Sequence, residues 1–289
     1  MMRNPERVVL LGAGGFIGSE LKRQLKTQSI PTFSVSSQQL DLTAVDAAPA
    51  LARLLRPTDT VVMLAALTPD KGRDTATLLR NVAMMHSVCT ALSKTGCAHF
   101  VYFSSDAVYD SAISRVSEDT PAAPQDLYGS MHLARECMAR NFGGGPVLVL
   151  RPTLVYGCQD SHNAYGPNRF SRAAKDSGRI TLFGGGEETR DHIAVEDVAA
   201  LTIRCLLTQR SGILNLATGV STAFSDVAKL VAAQSARPVE IVRAPRANPI
   251  THRHYDIIRL IKAFPDFRCV ALADGVNRMQ NSLKHDPHG

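Results

Sequence analysis

Apolar residues fall along this chain in short runs, and two spacings alternate. Residues 8–11, 60–66, 100–103 and 147–150 are near-continuous apolar runs, as expected of parallel strands covered on both faces. Residues 31–36, with Thr, Phe and Val, and residues 212–217 read as two further strands. Helical spacing separates them. A first helix is predicted at 19–26, and a second opens at Asp41-Leu42-Thr43, where Thr43 and Asp46 resemble a capping arrangement. A third spans 74–94, with Leu78, Val82, Met85, Val88, Cys89 and Leu92 on one face. A fourth spans 127–142, with Leu127, Met131, Ala134, Met138 and Phe142 as its expected buried stripe. Gly96 and Gly143-Gly144-Gly145 end the last two. Alternation of strand and helix predicts an α/β fold built on a doubly wound parallel sheet, with ligands at the carboxyl ends of its strands.

The second half is more mixed. It predicts a smaller lobe over 156–289, with the strand at 212–217 returning to a first domain of 1–155. Residues 163–169 form a loop leading into a helix that reaches Ser177, and Gly184-Gly185-Gly186 reads as a hairpin turn. Another helix is expected at 225–235, and closing helices within 253–281, one starting at Asp256.

The junction between the first strand and first helix carries glycines at 12, 15 and 18. The first permits a sharp turn, the second lets backbone approach a diphosphate, and the third lets helix pack on strand. Phe16, Ile17 and Gly18 fall where a helix N-terminus offers free N–H groups and a positive dipole end. A dinucleotide site is therefore expected. The second strand ends in Ser36-Ser37, not in the acidic residue that would favour NAD. Small hydroxyl residues leave room for a 2′-phosphate, though no arginine follows, so NAD or NADP is expected with a lean to NADP. Asp41 either caps locally or reaches the adenine amino group. Ala65-Ala66 are small enough to admit a cofactor. Asn81 interrupts the apolar face of its helix, and a surface position would explain it equally well. Ser104, Ser105 and Asp106 lie at a strand's carboxyl end, and Tyr128 and His132, four apart, project from one helix face. Singly, each has an ordinary structural explanation.

Composition narrows the partners. At 289 residues, 45% apolar and 20% charged, the chain reads as an ordinary soluble protein with a full core. No apolar run approaches a membrane span, and the polar N-terminal tip lacks a signal peptide's apolar centre, so a cytoplasmic protein without membrane contact is expected. A net charge of +6 without a basic block gives no reason to expect nucleic acid and fits an anionic small ligand. The six cysteines are scattered and read as reduced thiols, and the nine histidines show no metal-ligand spacing; no metal is expected.

Together these residues resemble the extended short-chain dehydrogenase/reductases, in the nucleotide-sugar epimerase/dehydratase and reductase branch. Gly12-x-x-Gly15-x-x-Gly18, Asp41-Leu42, Ala65-Ala66, Asn81-Val82, Ser104-Ser105-Asp106-Ala107-Val108-Tyr109, Arg151-Pro152-Thr153-Leu154-Val155-Tyr156-Gly157 and the run from Arg190 to Val198 match family signatures in order. Tyr128-Gly129-Ser130-Met131-His132 falls on the family's Tyr-x-x-x-Lys motif. The resemblance implies a Rossmann-type domain with a C-terminal substrate lobe, and Tyr128 as acid/base assisted by Ser105, Asp106 and His132. It further implies Gly12, Gly15, Phe16, Ile17, Gly18, Ser36, Ser37, Asp41, Leu42, Ala65, Ala66, Asn81, Ser104, Tyr128 and His132 around the cofactor. Arg190 and Asn168 would hold a nucleotide-sugar substrate, and a homodimer would form through helices near 76–93 and 127–142. Three departures stand out. His132 replaces the motif lysine, Leu154 replaces an asparagine near the substrate diphosphate, and Ala107 stands where the dehydratases carry glutamate. Dehydration is thus the least expected chemistry. A catalytically impaired regulatory protein of the same fold, or an enzyme for an apolar alcohol, are the alternatives.

Overall fold

The structure, a computed structural model, describes residues 4–160 and 163–285. The first three residues of the polar tip lie outside the described residues. In chain order the first elements are β1 (Arg7–Leu11), α1 (Phe16–Thr27), β2 (Thr32–Val35), α2 (Ala47–Leu54), β3 (Asp59–Met63), α3 (Thr75–Thr95), β4 (His99–Phe103), β5 (Arg115–Val116), α4 (Leu127–Arg140) and β6 (Val147–Pro152). There follow β7 (Leu154–Tyr156), α5 (Pro167–Asp176), β8 (Arg179–Phe183), β9 (Thr189–Ala194), α6 (Val195–Leu207), β10 (Gly212–Leu216), β11 (Ser221–Ala223), α7 (Phe224–Gln234), β12 (Glu240–Ala244), β13 (His254–Tyr255), α8 (Ile258–Ala263) and α9 (Leu272–His285).

Two compact units divide the chain. The first comprises Met1–Asp110, Thr120–Pro152 and Val198–Leu216; the second comprises Ser111–Asp119, Thr153–Asp197 and Ala217–Gly289. The first holds a six-stranded sheet in the order β10-β6-β4-β3-β1-β2, parallel throughout, with Val9 opposite both Phe33 and Val61. Strand order reverses at β1, so the β1/β3 edge is the switch point where a crevice opens at the strands' carboxyl ends. Its core joins Val9, Leu11, Val61, Met63, Phe100 and Tyr102 of the sheet to Met85, Val88 and Leu92 of α3. Full burial of each such side chain is worth about 1.5–3 kcal/mol.

In the second unit β7 and β11 flank β9, parallel and antiparallel to it respectively, and β8 pairs with β12 in parallel. Phe170, Ile180, Leu182, Phe224, Val227 and Val231 form its core. The expected hairpin at 184–186 is absent, because β8 takes its partner from β12, some sixty residues on, and not from β9. Gly184 and Gly186 instead turn the chain at positive φ (62° and 74°), and the Arg246 guanidinium lies where a side chain on Gly184 would project.

Other elements shift for local reasons. The helix expected from Asp41 starts at Ala47, because the Asp41 carboxylate accepts from Thr43 N (2.9 Å) and Thr43 Oγ1 (2.7 Å) and closes a turn there. Asp46 makes no capping bond. The expected apolar stripe of α4 is only partly buried: Met131 and Phe142 are buried and Met138 half-buried, Leu127 and Ala134 are exposed, and Gly129, His132, Arg135, Glu136 and Ala139 also face inward. All six cysteines are free, with Cys137 exposed. Among the described residues no helix is long and apolar enough to cross a membrane.

Candidate active site

The cradle forms where β1 turns into α1. Gly12 sits at φ +99°, and a Cβ there would lie 2.6 Å from Ala65 N; at Gly18 it would lie 2.3 Å from the Gly12 carbonyl oxygen. Strand, loop and helix touch through backbone alone, which any side chain would prise apart. Gly15 is the N-cap of α1 and supplies no side-chain cap. The N–H groups of Phe16, Ile17 and Gly18 therefore face outward as donors for an anion. Farther along, Ser36 and Ser37 are exposed, and Ser36 N donates to Gln39 Oε1 at 3.0 Å. Asp41 is also exposed, its carboxyl held low by the bonds from Thr43 and by Arg80, whereas Leu42 is buried.

The floor beside the cradle is clamped from below. Asn81 is 1% exposed, so it is no surface residue. Its Oδ1 accepts from Leu67 N (2.8 Å) and its Nδ2 donates to the Leu67 carbonyl (3.0 Å). Arg135 Nη2 donates to the Ala65 carbonyl at 2.8 Å. Ala65 and Ala66 are thus presented on a segment fixed at both ends.

The next strand brings the chemistry. Ser104 Oγ points down and donates to Glu136 Oε1 at 2.6 Å, and Arg151 grips both Glu136 oxygens at 2.8 and 2.6 Å. Ser104 therefore braces the buried ion pair. Ser105 caps the 3-10 turn Asp106–Val108 by accepting from Ala107 N (3.2 Å), its hydroxyl reaches Asp106 Oδ1 (3.4 Å), and it lies near enough to the Tyr128 phenol to hold its pKa down. Asp126 caps α4 by accepting from Gly129 N (2.7 Å) and so sets the helix start one residue ahead of Tyr128. Close approach of α4 to the 3-10 turn depends on Gly129, where a Cβ would fall 2.2 Å from the Ala107 carbonyl. Gly129→Ala is expected to cost about 1–3 kcal/mol and to cut turnover by separating Tyr128 from Ser105. Thermal melting and an activity assay on one preparation would check both.

Tyr128 and His132 meet edge to face, ring centroids 4.6 Å apart. Desolvation pushes the Tyr128 phenol up to about 12, with Asp106 adding to the rise; the Ser105 hydroxyl and then the Arg135 charge oppose it. His132 is 3% exposed, and its Nδ1 lies 2.7 Å from the Tyr102 hydroxyl. Burial, reinforced by Arg135, holds its pKa well below that of an ordinary histidine, so the ring is neutral at pH 7. Burial raises the Tyr102 phenol, which keeps its proton, so either the phenol O–H or an imidazole Nδ1–H can be the donor of this bond. In the tautomer in which Tyr102 donates, the His132 proton lies on Nε2. Nε2 is buried without a hydrogen-bond partner among the described residues. The glycine cradle, the uncapped helix and this unpartnered ring nitrogen together fit a nicotinamide dinucleotide.

In the second unit, Asn168 Oδ1 accepts from Gly157 N (3.0 Å), while its Nδ2 donates to Asp160 Oδ2 (2.7 Å). Arg190 donates to the Thr251 carbonyl and to Thr251 Oγ1, both at 2.7 Å, in place of the surface pairing with Asp191 or Glu187 that its neighbours suggest. Asp191 is buried and accepts from Thr218 N and Gly219 N; burial pushes it up to about 6 against those bonds. Asp197 accepts from Val270 N at 2.7 Å. Both carboxylates staple loops to β9 and α6. Tyr102, Arg135 and Glu136 escaped sequence reasoning as functional positions. Their only signal was helical spacing from His132, three and four residues on for the latter two.

A family model described as the NAD dependent epimerase/dehydratase family matches residues 8–217. Several solved structures share the fold. A UDP-glucose 4-epimerase of Thermus thermophilus in complex with NAD superposes with a TM-score of 0.84 at 22% identity, covering 96% of this chain and 99% of that one. RMD from Pseudomonas aeruginosa, complexed with NADPH, gives 0.84 at 23% identity over 97% and 99%. A GDP-L-fucose synthetase of Naegleria fowleri bound to NADP gives 0.86 at 16% over 99% and 94%.

Proposed function

Because the chain belongs to the NAD-dependent epimerase/dehydratase family, we propose that it is an NAD(P)-dependent oxidoreductase or epimerase acting on a nucleotide-linked sugar, with Tyr128 as acid/base. The convergence of Ser105, Tyr128 and His132 at the carboxyl end of β4 and the start of α4 carries this reading. A bound nicotinamide ring would supply the hydride acceptor or donor. The chain's own groups do the rest. In its ionised form Tyr128 takes the proton of a sugar hydroxyl, in its protonated form it gives one to a carbonyl oxygen, and Ser105 hydrogen-bonds that same oxygen. His132 Nε2–H holds a ribose hydroxyl, and the N–H groups at the start of α1 bind the diphosphate. Burial, with Asp106 adding to it, raises the phenol and so keeps Tyr128 protonated at rest.

Ala107 leaves the turn after Asp106 without the carboxylate that dehydration requires, so epimerisation or reduction is favoured. Exposed Ser36 and Ser37, with no acidic residue at the end of β2, support NADP over NAD. Arg190 and Asn168 serve the nucleotide-sugar diphosphate in this reading, Arg190 exchanging Thr251 for the phosphate oxygens. Leu79 on α3 and Leu127 on α4, 65% and 38% exposed, suit a homodimer face.

The deciding experiment is proton NMR of a nucleotide-sugar panel incubated with the protein, with NAD and NADP supplied separately. A new anomeric signal is expected, with NADP the better cofactor. No change with any compound, alongside measurable cofactor binding, would favour the impaired regulatory alternative that the neutral His132 motivates.

A further inference from the structure

The Tyr-x-x-x-Lys pattern puts a cation beside the tyrosine, and in this chain that position holds a neutral imidazole. A positive charge is nevertheless present. Arg135 lies one turn farther along the same helix and is 0% exposed. Its guanidinium carbon stands 5.1 Å from the Tyr102 ring centroid, and Tyr102 bonds directly to His132. Its partners are neutral: the Ala65 carbonyl, the Asn81 amide oxygen (3.4 Å) and the Met131 sulfur (3.8 Å). Nε has no hydrogen-bond partner among the described residues. A buried guanidinium without a carboxylate among these partners keeps its field, which a neighbouring anion would otherwise cancel. That field reaches Tyr102, Tyr128 and His132 alike.

We propose that positions 132 and 135 divide between them the work of a single motif lysine, His132 giving the neutral hydrogen-bond donor and Arg135 the buried cation that favours the ionised form of Tyr128. Arg135 is a positioning residue in this scheme. It touches the strand-end alanine segment and the Tyr102 ring that is hydrogen-bonded to His132, and it acts on the reacting phenol across them. Its role rests on Tyr128 exchanging protons as set out above, whereas the location of the charge does not.

The two positions should therefore trade. In ligand-free protein at pH 7, His132→Lys with Arg135 retained puts two cations into one buried site, and melting is expected to drop by about 10 °C. The other ionisable groups acting around that site are Tyr102, Tyr128, Glu136 and Cys89, with Asp106 and Asp126 on the Tyr128 side. An introduced lysine there binds its proton more weakly in the folded than in the unfolded chain, where its pKa is about 10.4. The deficit is thus complete below its folded pKa and disappears as pH rises towards the unfolded value. Adding Arg135→Met to His132→Lys is expected to restore most of the lost stability and to flatten this pH dependence. His132→Lys as stable as the parent at pH 7, or a double variant no more stable than the single one, would overturn the shared-cation scheme. Because no substrate is present, this outcome is independent of whether a nucleotide sugar is turned over. In turnover, Arg135→Met should move the limb of the kcat profile that reports Tyr128 to higher pH, with Arg135→Lys returning it. An unmoved limb would confine Arg135 to clamping Ala65 and would sink its electrostatic role.

Discussion

Replacing Tyr128 with phenylalanine is expected to lower kcat by about 10²–10⁴ while cofactor affinity stays nearly unchanged. The substitution deletes one hydroxyl and keeps the ring, so the edge-to-face contact with His132 at 4.6 Å survives and holds the imidazole in place. The glycine cradle and the start of α1 are untouched. What disappears is the proton donor and acceptor at the reacting oxygen, together with the contact to Ser105. Ser105→Ala should cost less, because Tyr128 keeps its proton. Turnover followed by NMR and cofactor titration by fluorescence separate the two quantities. Full turnover in Tyr128→Phe would remove Tyr128 from the acid/base role and, with it, the proposed mechanism.

Arg151→Met is expected to destabilise the first unit by about 3–5 kcal/mol, the largest structural effect of any single change around the site. Glu136 is 0% exposed and Arg151 3%, and Arg151 meets it in a two-point fork. Removing the guanidinium strands a buried carboxylate whose remaining partner in this cluster is the Ser104 hydroxyl. Replacing both members, Arg151→Met with Glu136→Leu, should recover most of the loss, since no lone charge is then left behind. Urea unfolding checks the pair. A fall in midpoint with an unchanged slope marks a true stability loss, and a single-variant loss below about 1 kcal/mol would mean the pair behaves as an exposed one.

The parallel sheet was readable because strands buried on both faces leave apolar runs that no other element of this length imitates. The caps at Asp74 and Asp126 follow an equally local rule, a carboxylate accepting from the backbone N–H three residues on. Misreadings arose where partners are remote or polar. Helix α4 turns His132, Arg135 and Glu136 inward because Tyr102, Ala65 and Arg151 await them, and an apolar count cannot register buried polar groups that are satisfied there. The triple glycine looked like a hairpin because its turn chemistry is local, whereas the choice of β12 as the partner of β8 is made far downstream. The residues proposed to act directly, Ser105, Tyr128 and His132, were singled out from motif spacing. Tyr102 and Arg135, proposed to support them, meet His132 and one another through contacts that spacing along the chain does not encode.

The first unit is assembled from three separate stretches of chain, and its edge strand β10 pairs with β6 only after the polypeptide has left for the second unit and returned. During synthesis the nucleotide cradle at residues 12–18 emerges first, yet the sheet that supports it is not finished until Leu216 has left the ribosome. The nascent chain must therefore wait with the β10 side of β6, a strand of buried aliphatic residues, unpaired while the intervening residues are translated. An exposed edge of that kind invites pairing with other chains. A fragment cut at Pro152 would make that exposure permanent and would fold less well than the apparent modularity of the cofactor domain implies.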